Sequence, residues 1–105
     1  MTNKRIALTT CGGADAAAEL ARALVERRLA ACVNIIPGVR SFYWWDDAVQ
    51  DDAEVLLLMK TDAETAPALE AAVRELHAYD TPEFVVLPVE SGSAAYLEWI
   101  AANLG

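Results

Sequence analysis

Two β-prone runs of about equal length, Ala31–Trp45 and Val49–Lys60, flank a short polar break at Asp46-Asp47. Both runs are rich in Val, Ile, Leu and aromatics, and a break of that length reads as a hairpin turn. About 14 residues per strand at ~3.3 Å each gives a ribbon of roughly 45 Å. The whole chain has only 105 residues, and a globule of that size has a diameter of roughly 33 Å. The hairpin should therefore overshoot its own domain. Its tip would carry Phe42, Tyr43, Trp44, Trp45 and Val49, and bare aromatics on an unpaired edge invite association. A closed homo-oligomer in which each tip meets a neighbour's edge resolves this. The alternative is a sharp bend at Pro37-Gly38 that folds the ribbon back on its own core.

The rest of the chain supplies one domain around that hairpin. Lys4–Thr10 reads as a first strand, broken by Cys11-Gly12-Gly13. From Asp15 to about Leu29 the spacing predicts a helix, with Ala17, Leu20, Ala21 and Leu24 on one face. Glu54–Lys60 is continuously apolar between its charged ends, which predicts burial on both faces. A second helix has two possible starts. Thr61-Asp62-Ala63-Glu64 fits a capping box, but Pro67 would then break the ladder. A cap at Thr65 or Ala66 places Pro67 in the first turn, where its missing N–H costs little. The buried stripe would be Leu69, Ala72, Val73 and Leu76. Glu83–Val89 reads as the last strand. Ser93–Leu104 reads as a closing helix, with Leu97, Ile100, Ala101 and Leu104 on one face.

This order, β-α-β-β-α-β plus a terminal helix, is an α+β, ferredoxin-like split βαβ fold with an antiparallel sheet. The topology implies strand order 4-1-3-2, with strands 2 and 4 at the edges. Proline is confined to edges or bulges, and Pro37 and Pro88 fall in those two strands.

Composition excludes several classes. Sixteen acids against eight bases give a formal charge of −8. Nucleic-acid binding needs a basic stripe, so neither nucleic acid nor an anionic membrane is expected as a partner. No apolar run nears the roughly 18–20 residues that span a bilayer. The N-terminal stretch lacks the apolar region of a secretory signal, which predicts a cytoplasmic protein with Cys11 and Cys32 reduced. Cys11, beside the Gly-Gly turn, is the better placed of the two to be a reactive thiol. One histidine, His77, cannot join those cysteines in a closed four-ligand zinc site.

His77 ends the second helix, and Tyr79, Asp80 and Glu83 follow within six residues. Imidazole with carboxylate suits a divalent transition metal, Cu(II) in particular. A helix-capping histidine beside a surface glutamate is the plainer reading. Glu54 and Lys60 bracket the buried strand and should meet opposite charge or line a cleft.

Five segments in order carry a family resemblance. They are Leu29–Gly38, Ser41-Phe42-Tyr43-Trp44-Trp45, Glu54–Thr61, His77-Ala78-Tyr79-Asp80-Thr81-Pro82-Glu83, and Tyr96-Leu97-Glu98-Trp99. Together they resemble the CutA family, the divalent-cation tolerance proteins, along nearly the whole length. The resemblance implies a homotrimer related to the PII-type signalling proteins. It implies copper or another divalent cation as a bound group, at the positions of His77 and Glu83 with a strand-one cysteine. Thr9 stands at that cysteine's position here and Cys11 lies two residues later, so the implied metal set is His77, Glu83 and Cys11. Two other positions depart from the family pattern, Ala78 for a proline and Asp47 for a turn glycine. An inter-subunit ligand cleft would involve Tyr43, Trp45, Glu54, Lys60, Tyr79 and Trp99.

Three functions compete on this reading. The first is a trimer that binds a metal ion or small ligand without turnover. The second is an enzyme using His77, Glu83 and Lys60. The third is a structural scaffold.

Overall fold

The computed structural model describes residues 1–105. Its elements run β1 (Lys4–Cys11), α1 (Ala14–Glu26), β2 (Cys32–Trp45), β3 (Ala48–Asp62), α2 (Ala66–Leu76), β4 (Val85–Pro88) and α3 (Ala94–Ala102). They build one four-stranded antiparallel sheet in the order β2-β3-β1-β4. This is the expected split βαβ arrangement, with Pro37 and Pro88 in the two edge strands. No helix is long and apolar enough to cross a membrane.

The core lies between the sheet and helices α1 and α2. Ala17, Leu20, Ala21 and Leu24 of α1 and Leu69, Ala72 and Val73 of α2 meet Ala7, Cys11, Val55, Leu57 and Met59 of the sheet. Leu76, expected in that stripe, sits in the last turn of α2 and is exposed. Nor is β3 buried on both faces. Val55, Leu57 and Met59 are buried, whereas Leu56 and Leu58 are only half-buried, because both core helices pack on one side. The opposite face presents Ile6 and Leu8 of β1, Leu56 and Leu58 of β3, Ile36 of β2, and Val85 and Leu87 of β4.

Helix α1 stops three residues before the expected Leu29. Arg28 takes φ +59°, its N–H donates to Val25 O, and the Leu29 N–H donates to Leu24 O. This pair of bonds is a Schellman ending, normally built on glycine. Leu29 is thereby turned against the core. Helix α2 starts at Ala66 with Thr65 as its cap and Pro67 in the first turn, as expected. The Thr65 hydroxyl makes no capping bond; instead Asp62 Oδ1 accepts from the Thr65 N–H at 2.8 Å.

β4 is shorter than the expected Glu83–Val89. Phe84 leaves the sheet to pack on the core, and pairing with β1 begins only at Val85. Helix α3 is also shorter than expected. Ser93 caps it, accepting from the Tyr96 N–H at 3.3 Å. Of its expected apolar face only Ile100 is buried; Leu97 and Leu104 are half-buried and Ala101 is exposed.

The β2–β3 hairpin projects. The molecule measures 44 × 25 × 23 Å, and the long dimension matches the ribbon length expected from the sequence. Pro37-Gly38 makes a bulge, with the register slipping between Ile36 and Val39 and Gly38 at φ +79°. The bulge adjusts the strand without folding it back. At the tip, Asp46 and Asp47 adopt φ +54° and +57° between the paired Trp45 and Ala48. Positive φ at both central residues is the type I′ pattern, which matches the twist of the flanking strands. Aspartate here does what glycine or asparagine does more easily. The tip aromatics stand in the open, Phe42 at 63% and Trp44 at 74% exposure.

Candidate functional site

Where β1 ends, four segments converge. Thr10 and Cys11 close β1, Glu54 lies beside them on β3, the chain leaving α2 carries His77 to Glu83, and the projecting half of β2 carries Arg40 to Trp45. Thr10, Glu54, Tyr79 to Glu83 and most of Arg40 to Trp45 line a cleft of about 860 Å³, with Cys11 and His77 behind it.

His77 anchors the α2 side. Its backbone N–H closes the helix on Val73 O. One ring nitrogen, Nε2, donates to Thr10 O at 2.7 Å. The other, Nδ1, accepts from the Tyr79 N–H at 3.1 Å. An acceptor on one side and a donor on the other define the neutral Nε2–H tautomer. Cys11 Sγ lies 3.8 Å from Nε2. Burial, and secondarily the charge of Glu54, push the Cys11 thiol up from its ordinary value, so it remains protonated at neutral pH.

Two phenols then meet two carboxylates. Tyr79 Oη donates to Glu54 Oε2 at 3.1 Å. Tyr43 Oη donates to Asp52 Oδ2. Burial, followed by the bond to Glu54, raises the Tyr79 phenol. The bond to Asp52 is the main cause that pushes Tyr43 up to about 12. Asp52 and Glu54 share a strand face because they are two residues apart. Gly12 makes room for this arrangement, since a Cβ there would lie 3.2 Å from Tyr79 Oη. Arg40 forks onto Asp51 through Nε at 2.9 Å and Nη2 at 2.8 Å. That pairing holds the Asp51 carboxyl below its ordinary range. The guanidinium also lies 5.2 Å from the centre of the Phe42 ring.

The structure thus brings Tyr43, Trp45, Glu54, Tyr79 and Glu83 to one cleft. It puts Lys60 and Trp99 elsewhere. Lys60 is six residues from Glu54 along β3, roughly 20 Å at strand rise. There its Nζ bonds Asn34 Oδ1 at 2.6 Å and lies 5.7 Å from the Tyr96 ring centre. Trp99 stacks on Tyr96 at 5.6 Å. Within one chain, Lys60 therefore does not join His77 and Glu83.

The residues expected to hold a metal do not form a ligand set within one chain. Both His77 nitrogens are engaged by backbone groups, Cys11 is a buried protonated thiol, and Glu83 is exposed. No three His, Cys, Asp or Glu side chains are grouped so as to hold a metal ion. Sequence reasoning missed Asp52, although its two-residue spacing from Glu54 was a usable signal. It had no signal for the contact of Cys11 with His77, which are 66 residues apart.

Comparison with known proteins gives a consistent result. Residues 5–103 match the family described as "CutA1 divalent ion tolerance protein". The divalent-cation tolerance protein CutA of Thermus thermophilus is 45% identical over 102 residues, covering 97% of this chain and 99% of that protein. Protein CutA of Mus musculus is 47% identical over 94 residues, 90% of this chain and 53% of the mouse protein. The chain therefore spans about half the length of that relative. Among solved structures, the divalent cation tolerance protein from Thermus thermophilus superposes with a TM-score of 0.94 at 45% identity, covering 97% and 99% of the two chains. CutA1 from Oryza sativa superposes with a TM-score of 0.95 at 40% identity, covering 97% and 94%.

Proposed function

The chain belongs to the CutA1 divalent ion tolerance family, and on that footing we propose that it acts as a cytoplasmic homotrimer. In this reading it binds a divalent cation or another small ligand at clefts completed by neighbouring subunits, and it does so without turnover. The observation that carries the reading is the sheet face turned away from the helices. Ile6, Leu8, Ile36, Leu56, Leu58, Val85 and Leu87 form an apolar surface that no element of the chain fully covers. Burying such a face stabilises at roughly 25 cal/mol per Å², and further copies of the chain are its natural cover. The projecting hairpin supplies the arm by which each copy reaches the next.

The cleft beside the projecting hairpin then lies next to an interface. A divalent ion held there would need oxygen ligands from more than one subunit, since one chain does not assemble three. Binding without turnover is supported by the state of two groups: Cys11 is a protonated thiol, and both ring nitrogens of His77 are held by backbone partners. Placement in the cytoplasm rests on two unpaired cysteines, Cys11 and Cys32, which persist as thiols in a reducing compartment.

Light scattering behind size exclusion tests the assembly. The expected mass is three times 11.3 kDa, and Leu87→Asp, which puts a charge on the exposed sheet face, should lower it to one chain. A monomeric wild-type protein would overturn the trimer. Calorimetric titration with Cu(II) tests the ligand arm, with His77→Ala and Glu83→Ala as comparisons. Binding no stronger than to an acidic control protein would remove copper from the reading.

A further inference from the structure

We infer that Cys32 and Lys60 form an oxidant-responsive pair, in which hydrogen peroxide oxidises the thiol and the lysine amine captures the product as a sulfenamide cross-link. The inference stands apart from the ligand reading above, because neither residue lines the cleft. The two are directly opposed in the β2–β3 ladder, which puts their side chains on one face as cross-strand neighbours. Lys60 Nζ lies 4.0 Å from Cys32 Sγ. Its other partners are the neutral Asn34 amide at 2.6 Å and the Tyr96 ring of α3 at 5.7 Å. No carboxylate forms an ion pair with it, so nothing negative draws this ammonium away from the sulfur.

The sequence points to Cys11 as the reactive thiol, and the structure reverses that expectation. Cys11 is 3% exposed in the core, and burial and Glu54 push its thiol up. Cys32 is half-buried at the start of an edge strand. Nor can the two thiols join within one chain. Cys11 pairs with Val55 and Cys32 with Lys60, roughly 16 Å apart along β3. They also lie on opposite faces of the sheet, beyond the reach of a disulfide. The group within reach of Cys32 is an amine. The thiolate is the attacking form of a cysteine. It breaks the peroxide O–O bond to give a sulfenic acid, and the Lys60 ammonium protonates the departing hydroxide to water. The neutral amine left behind attacks the sulfenic sulfur, by the reaction that joins such sulfurs to nitrogen. The S–N bond forms as the S–O bond breaks, and the hydroxyl leaves with an amine proton as a second water. Sulfur is oxidised and the peroxide is reduced. The flexible four-carbon stem of lysine closes the 4.0 Å gap, drawing Nζ away from Asn34 and the Tyr96 ring. Oxidation is thereby passed to the contact between the sheet and α3.

Treatment of the purified, assembled protein with hydrogen peroxide, followed by intact mass measurement and peptide mapping, tests this. The expected product has the mass of the chain less a pair of hydrogens. It joins the peptides of Cys32 and Lys60, and dithiothreitol returns it to the starting mass. Cys32→Ser should abolish the cross-link, and Cys11→Ala should leave it in place. Lys60→Arg keeps the positive charge but removes the nucleophilic amine. In that variant the cross-link should be lost and dimedone should label the sulfenic acid at Cys32. Each variant is first checked for the wild-type circular dichroism, and the mapping of the wild-type product does not depend on any of them. A Cys32 that stays a thiol under peroxide overturns the inference. So does a Cys32 that passes to sulfinic acid without the cross-link, a disulfide between the Cys32 residues of two copies, or faster oxidation at Cys11.

Discussion

His77 Nε2 lies 2.7 Å from the carbonyl oxygen of Thr10, so the end of α2 is tied to the end of β1 by a single imidazole. The same ring accepts the Tyr79 N–H through Nδ1. One side chain thereby fixes the loop that carries Tyr79 to Glu83 against the sheet. The histidine positions the cleft from behind.

Replacing His77 by alanine leaves the Thr10 carbonyl and the Tyr79 N–H without these partners. Each unsatisfied group costs about 1–3 kcal/mol when buried; the Thr10 site is part-buried and the Tyr79 site exposed, so the expected loss is about 1 kcal/mol. Urea denaturation measures it. Wild-type stability in His77→Ala would show that water replaces the ring at no cost.

Tyr43 titrates late because its phenol donates to Asp52. Its value of about 12 lies above the ordinary 10. A raised folded value means that the unfolded chain loses the proton first. The contribution to stability is therefore present below pH ~10 and is lost as pH rises towards about 12. Absorbance titration of phenolate formation should resolve a late tyrosine. Asp52→Asn removes the charged acceptor, and the late step should move down towards 10. A titration unchanged by Asp52→Asn would refute the pairing as its cause.

Thr9 is fully buried, and its hydroxyl has no hydrogen-bond partner. Burying an unpaired hydroxyl costs on the order of 1–3 kcal/mol, and valine has nearly the same shape. Thr9→Val should stabilise the fold by about 1 kcal/mol, read as a higher urea midpoint at unchanged slope. A destabilised Thr9→Val protein would mean that the hydroxyl is satisfied in solution.

Arg28 sits at φ +59° in the Schellman ending of α1. A left-handed conformation costs a non-glycine residue roughly 1–2 kcal/mol. Arg28→Gly should recover about 1 kcal/mol of that strain, offset in part by the greater freedom of glycine in the unfolded chain. Thermal denaturation at matched pH measures the gain. A lower midpoint would show that packing of the Arg28 stem against Gly105 outweighs backbone strain.

The sequence by itself determined the elements and their order. Apolar spacing placed Ala17, Leu20, Ala21 and Leu24 on the buried face of α1, and Pro67 fixed where α2 begins. Prolines 37 and 88 marked the edge strands, and strand length alone required a projecting hairpin of about the observed reach. Those features depend on neighbours within a turn or a strand, where side-chain period and backbone sterics act locally. Helix ends were less legible, since the Arg28 ending substitutes arginine for the usual glycine signal. Covered and open sheet faces were not distinguishable, because Leu56 and Leu57 look alike until two helices choose one side.

The site was legible only as separate residues. Tyr43, Glu54, Tyr79 and Glu83 stood out in the chain, as did His77. Only the tertiary structure decided that Tyr43 and Tyr79 spend their hydroxyls on Asp52 and Glu54, that both His77 nitrogens belong to the backbone, and that Lys60 and Trp99 lie at the other end of the sheet. Those partnerships join residues up to 67 positions apart. Hydrogen bonds are directional and short in reach, so which groups meet is set by strand register and loop path, and composition cannot supply either.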